Sequence, residues 1–172
     1  KNTDDFFFFF SMMYFLLDSI EKRETRNMLI RLSFEDKLTG LYNRNKFSQV
    51  MDDYESGECT AKSIGFAYYD LNGLKRLNDK FGHKAGDLLI QKVGSHLLTA
   101  FGTNAYRIGG DEFVAILENS DFQNRNALVA QLDEACSNEF ITVNNKALPV
   151  VVARGLAVFN PLTDASYKEV FN

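Results

Sequence analysis

Two short stretches of this chain combine residue types that seldom cluster without a chemical reason. YDLNGLKRLNDKFGHKAGD, residues 69–87, opens where an apolar run ends on the carboxylate of Asp70, then sets polar side chains among Gly73, Gly82 and Gly86. RIGGDEF, residues 107–113, places Gly109 and Gly110 directly before Asp111 and Glu112. Glycine lets a backbone adopt positive φ and lets a bulky group come close, because no Cβ intervenes. Acids beside such a turn repel phosphates unless a cation stands between them, and hard oxygen ligands with room for phosphate suit Mg²⁺. The combination reads as a metal–nucleotide site. Singly, each piece has a plainer reading: a solvated turn, a carboxylate capping a helix, a surface histidine at position 83. Their co-occurrence carries the argument. In a ferredoxin-like fold the strand ending at Asp70 lies beside the strand that follows the glycine turn, so Asp70 and Asp111 would meet over one ion.

The elements that must position these groups show in the hydrophobic pattern. A helix is expected from an N-cap at Asp4 or Asp5 to about Phe34, a stretch without Gly or Pro. A break over DKLTGLYNR (36–44) precedes a helix from Asn45 to Tyr54, a polar loop from Ser56 to Lys62 and a buried strand from Ser63 to Leu71. A helical turn over 72–81 and a helix from Ala85 to Ala100 follow. A hairpin then pairs Ala105–Ile108 with Glu112–Leu117 through the glycines, and a helix runs from a cap at Ser120 or Asp121 to about Cys136. Phe140–Val143, the turn Asn144-Asn145 and Ala147–Phe159 make a final hairpin, and a last helix begins near Ala165. The order strand, helix, strand, strand, helix, strand predicts an α+β, ferredoxin-like fold: an antiparallel-rich sheet with two helices on one face, preceded by a long N-terminal helix.

The motifs resemble those of the GGDEF family, whose domains condense two GTP molecules into cyclic di-GMP and pyrophosphate. RIGGDEF is similar to the family signature, DKLTGLYNR to the segment that opens its domain, and DLNGLKRLNDKFGHKAGD to its D-x-D-x-F-K-x-x-N-D-x-x-G-H-x-x-G-D stretch. The likeness spans roughly residues 33 to 172, which divides the chain into a connector helix (1–35) and a GGDEF domain (36–172). The resemblance implies a nucleotidyl-cyclase fold and a diguanylate cyclase working as the output domain of a signalling protein, with an upstream sensor attached through the connector. It implies Mg²⁺, with Mn²⁺ as a substitute, held by Asp70, Asp111 and the carbonyl of Leu71. Gly109 and Gly110 would lie against the GTP phosphates, Asn78 and Asp87 would read guanine, and His83 would touch substrate. Lys75 would counter phosphate charge, and Asp111 or Glu112 would accept the 3′-hydroxyl proton. Each domain holds one GTP, so a homodimer is required. The same residues without turnover would make a GTP-binding regulatory module, and a structural dimerisation domain would need the motifs to be coincidental.

This sequence departs from the family pattern in places. Asn72, Gly73 and Leu74 stand where the family has Asp, His and Phe, and Arg154 has no family role. Ala100 and Thr103 replace the Arg and Asp of the family's inhibitory product site, so no feedback through that site is expected. The family's basic C-terminal helix has no counterpart before Asn172, and Lys168 comes too early to serve; the chain is expected to be a piece of a longer protein.

Composition bounds the rest. With 45% apolar and 24% charged residues over 172 positions, the chain reads as a globular domain. A net charge of −4 gives no general attraction to nucleic acid or to an anionic membrane, so phosphate must be bound locally. Cys59 and Cys136 lie far apart without a CxxC, as expected of isolated thiols in a reducing, cytoplasmic setting. The apolar run at residues 6–17 falls short of the roughly 18 residues that span a bilayer, so no membrane contact is expected from it.

Overall fold

The computed structural model describes residues 2–57, 63–160 and 162–171; Cys59 lies outside the described residues. In chain order the elements are α1 (Asn2–Phe34), β1 (Tyr42–Asn43), α2 (Arg44–Glu55), β2 (Ile64–Leu71), α3 (Leu74–Phe81), α4 (His83–Phe101), β3 (Ala105–Arg107), β4 (Glu112–Glu118), α5 (Asn119–Gln123), α6 (Arg125–Ser137), β5 (Phe140–Val143), β6 (Lys146–Pro149) and β7 (Val152–Val158). They fall into two compact units, Lys1–Phe34 and Glu35–Asn172.

The first unit is α1 alone. It begins at Asn2, so Asp4 and Asp5 lie within the helix and not at its cap. Phe6 to Phe10 are all exposed, and consecutive residues point to every side of a helix, so the apolar segment is not confined to one stripe. Among the described residues no helix is long and apolar enough to cross a membrane.

In the second unit the central sheet has the order β1-β3-β4-β2-β7, with β2 antiparallel to both β4 and β7 and with β1 parallel to β3. Leaving out the two-residue β1, this is the split ferredoxin-like arrangement expected from the order of elements. Strand β2 has neighbours on both edges and helices on both faces, which is why its sequence is a nearly continuous apolar run. Its alternate residues divide the interior. Ala67, Tyr69 and Leu71 pack with Leu89, Val93 and Leu97 of α4 and with Val129 and Leu132 of α6. Ile64 and Phe66 pack with Phe47, Met51 and Tyr54 of α2. The two expected helices on one face are α4 and α6; α2 covers the other. The Asn43 side chain starts α2 by accepting from the backbone N–H groups of Asn45 and Lys46.

Three stretches differ from the pattern-based expectation. The helix expected from Ser120 or Asp121 to Cys136 is two helices, α5 and α6, meeting at Asn124. The expected hairpin arm Ala147–Phe159 is also two strands. Its first part, β6, pairs with β5 through Asn144 and Asn145, whose φ values of 50° and 60° suit a two-residue hairpin turn. Pro149 brings no N–H, the Val150 N–H turns to the Glu139 carbonyl at 3.1 Å, and β7 continues in the central sheet beside β2. At the C-terminal side, the helix expected near Ala165 is a short 3₁₀ turn, Glu169–Phe171.

The opening segment is fitted to α4 at one point. A Cβ on Gly94 would lie 2.8 Å from Thr39 Cβ and 2.9 Å from its Cγ2. Thr39 cannot easily yield, since its N–H and hydroxyl both donate to the Asp36 carboxylate at 3.0 and 2.8 Å. Gly94→Ala is therefore expected to lower stability by about 1–3 kcal/mol in urea unfolding. Adding Thr39→Ser, which removes the Cγ2 methyl, should restore part of the loss.

Candidate metal–nucleotide site

The site forms where β2 ends beside the start of β4. In the antiparallel register Asp70 is directly opposite Glu112, and the Leu71 N–H donates to the Asp111 carbonyl at 3.0 Å. Side chains opposite one another in such a pair project to the same face. Asp70 and Glu112 therefore stand together on the α2 side of the sheet, and Asp111 is the next residue along. The three acids predicted from sequence are assembled in one place.

The glycine turn is closed from inside. Ile108 and Gly109 both donate their N–H groups to the Glu112 carbonyl, at 2.9 and 3.3 Å. A Cβ on Gly109 would come within 2.2 Å of Glu112 Oε2, so glycine there is what lets the glutamate fold back over the turn. The Tyr68 hydroxyl donates to Glu112 Oε1 at 2.7 Å. Burial above all, then the bond to Glu112, pushes the Tyr68 pKa up to about 12, which keeps this hydroxyl a donor at neutral pH. Gly110 is exposed.

Arg107 ties the turn to the start of the domain. Its guanidinium donates to both Asp36 carboxylate oxygens at 3.0 and 3.2 Å and to the Gly110 carbonyl at 2.7 Å. Burial acts to raise the Asp36 pKa, but the hydrogen bonds from Thr39 and Arg107 outweigh it and hold the carboxyl below its ordinary value of 3.8. Sequence reasoning gave neither residue a role. The signal available was an arginine and an acid sitting inside two separate motifs.

Asp70 shifts the other way. Burial first, then the charges of Asp111 and Glu112, raise its pKa above the ordinary 3.8. Among the described residues no group of three His, Cys, Asp or Glu side chains is arranged to hold a metal alone. Asp70, Asp111 and the Leu71 carbonyl form a partial set of hard oxygen donors, of a kind that suits a Mg²⁺ whose remaining ligands come from phosphate and water.

The remaining predicted residues lie on α3 and α4. Gly73 and Gly82 take φ of 79° and 83° at the start and end of α3, values that favour glycine. Lys75, on the first turn of α3, is exposed, as are His83 and Asp87 at the start of α4. Asn78 is different: its Oδ1 is buried without a hydrogen-bond partner, and a Cβ on Gly86 would lie 2.1 Å from it. Asn78 is thus seated against the residue preceding Asp87, and its acceptor is unsatisfied. Lys168 is bound elsewhere, to Asp52 of α2 at 2.7 Å.

Comparison with known proteins identifies the family. The family model described as "Diguanylate cyclase, GGDEF domain" matches residues 33–172. The chain is similar to diguanylate cyclase DgcP of Escherichia coli K12, with 33% identity over 69% of this chain and 36% of that protein. It is similar to the cyclic di-GMP phosphodiesterase PdeR of the same organism at 30% identity, over 67% of this chain but 18% of that protein. The chain thus spans about a third or less of the length of these relatives. Among solved structures, the coiled coil and GGDEF domain of DgcB from Caulobacter crescentus, in complex with c-di-GMP, gives a TM-score of 0.75 at 25% identity, covering 94% of this chain and 88% of that one.

Two outcomes follow from the opposed shifts of Asp36 and Asp70. Because the folded pKa of Asp36 is depressed, its stabilisation is present above about pH 4 and is lost as pH falls through the folded value. Arg107→Lys, which cannot reproduce the forked contact, should cost about 1–3 kcal/mol at pH 7 and less near pH 3, measured by urea unfolding. For Asp70 the sign reverses: a raised folded pKa means stability declines as pH climbs from the unfolded value near 4 through the folded one. Asp70→Asn should therefore be neutral or stabilising at pH 7 in EDTA, and should reduce any rise in melting temperature that Mg²⁺ produces.

Proposed function

The chain belongs to the GGDEF family of diguanylate cyclase domains, and on that premise we propose that it binds GTP with Mg²⁺ and, paired with a second copy, condenses two GTP molecules into cyclic di-GMP and pyrophosphate. The observation that carries this reading is the convergence of Asp70, Asp111 and Glu112 at the end of the β2–β4 ladder beside an open glycine turn.

Asn78 and Asp87 receive the guanine edge. The carboxylate of Asp87 accepts from the N1–H and 2-amino donors of guanine, and the Asn78 amide bonds the base's acceptors. Adenine lacks that donor pair and would leave Asp87 unpaired, which is the basis for rejecting ATP. Gly109 and Gly110 allow phosphates close to the turn, and Lys75 offsets the charge that grows on them, with His83 as a further substrate contact. Asp70, Asp111 and the Leu71 carbonyl would hold a divalent cation, whose charge would offset that of the phosphates and polarise the α-phosphorus. The 3′-oxygen of one GTP attacks the α-phosphorus of the other, in line with departing pyrophosphate. Asp111 or Glu112 accepts the 3′-hydroxyl proton, and the orientation of Glu112 is fixed by the Tyr68 hydroxyl. One domain holds one GTP, so the bond forms only when two domains face each other, and α1 is suited to govern that encounter as the link to a sensor domain.

A second reading is a GTP-binding module without turnover, which would act on a partner domain. It is favoured by the similarity to a protein named as a phosphodiesterase, most of whose length lies outside the match.

The test is a product assay on the full-length protein with GTP and Mg²⁺. Cyclic di-GMP and pyrophosphate should appear together, no cyclic product should form from ATP, and Glu112→Gln or Asp111→Asn should lower the rate by about 10²-fold or more. Tight GTP binding with no product would instead establish the second reading.

A further inference from the structure

A second pocket opens on the other side of the sheet, back to back with the three acids. It has a volume of about 440 Å³, and among its lining residues are Tyr69, Asp133, Cys136, Pro149, Val150 and Arg154. Its base is Tyr69, only 1% exposed, whose hydroxyl has no hydrogen-bond partner among the described residues. Arg154 is directly opposite Tyr69 in the β2–β7 register, so both side chains face α6, and Arg154 Nε is paired with the Asp133 carboxylate. Both charges are accessible, with side chains 46% and 36% exposed. Pro149 and Val150 form an apolar wall, with Val150 buried. Burial, together with the nearby charge of Asp133, raises the pKa of Tyr69 well above its ordinary 10.0, so its phenol remains a donor, and burial pushes the Cys136 thiol up to about 11, so it remains protonated.

The charges make the pocket dipolar. A guanidinium and a carboxylate lie side by side at its mouth, an unpaired hydroxyl is at its base, and aliphatic side chains line one wall. An anion alone would oppose Asp133, and a cation alone would oppose Arg154. A small molecule with a carboxylate and an ammonium on adjacent atoms satisfies both, and a branched aliphatic tail would lie against Pro149 and Val150. Ligand pockets generally combine an apolar lining with a few converging polar groups in this way, at volumes of roughly 300–1,000 Å³.

We propose that this pocket binds a free aliphatic α-amino acid of the leucine type, its carboxylate on Arg154, its ammonium on Asp133 and its side chain against Pro149 and Val150. The Tyr69 hydroxyl donates to the bound carboxylate or to a water enclosed with it, which supplies the partner the phenol lacks. The site shares no lining residue with the nucleotide site and does not depend on GTP turnover.

The experiment is thermal unfolding of the full-length protein with leucine as the probe. Three variants serve as comparison, Arg154→Gln, Asp133→Asn and Tyr69→Phe, and two analogues, 4-methylpentanoate without the ammonium and 3-methylbutylamine without the carboxylate. At ten times its dissociation constant leucine should raise the midpoint by about 3–6 °C. Either analogue, and either Arg154→Gln or Asp133→Asn, should lose most of that shift. Tyr69→Phe keeps the shape and the charges, and should need several-fold more leucine for the same shift. No shift with leucine overturns the proposal, as does a shift that survives Arg154→Gln and Tyr69→Phe together. An equal shift from 4-methylpentanoate would refute the role of Asp133 and, with it, the ligand class.

Discussion

Asp70, Asp111 and Glu112 are kept together by the backbone and against their own electrostatics. Burial first, and then the charges of Asp111 and Glu112, raise the Asp70 pKa, and no described lysine or arginine forms an ion pair with any of the three. What holds them is the β2–β4 ladder, seven residue pairs long and buried on both faces. The apolar packing under the ladder holds the carboxylates at its end in place against burial and mutual repulsion.

Arg107 addresses a second difficulty, which is that a glycine-rich turn has little of its own to hold it in shape. One side of the turn is fixed by the N–H groups of Ile108 and Gly109 on the Glu112 carbonyl, and the other by the guanidinium on the Gly110 carbonyl. The same guanidinium reaches Asp36, and Asp36 holds Thr39, which is packed on Gly94 of α4. A chain of direct contacts therefore joins the opening motif, the central helix and the glycine turn.

Much of this fold is legible in the sequence, and the rest is hidden for physical reasons. Strands β2 and β4 are legible because their apolar runs are bounded abruptly by acids, and the order of elements is enough to set the strand ending at Asp70 beside the one that follows the glycine turn. The pairing of Asp70 with Glu112 is a matter of register that the sequence does not give. The division at Asn124 was hidden because α5 and α6 share a continuous helical pattern, and the Arg125 guanidinium that bonds the Phe122 carbonyl and stacks on its ring acts only once the chain has turned there. The break after Pro149 was hidden because Val150 and Val151 suit a strand equally well on either side of it. Long-range pairings such as Arg107 with Asp36, or Arg154 with Asp133, leave no periodic trace in the sequence.

The alternation of β2 has a consequence for how this segment can vary. Asp70 and Tyr68 face one way, Tyr69 and Leu71 the other, and the neighbouring strands fix that assignment from both edges. Swapping one side chain for another disturbs one face locally. Inserting or deleting a single residue between positions 64 and 69 would turn every later side chain over at once, carrying Asp70 beneath α4 and the Tyr69 ring towards solvent near Glu112. Across this stretch, spelling is negotiable but length is not.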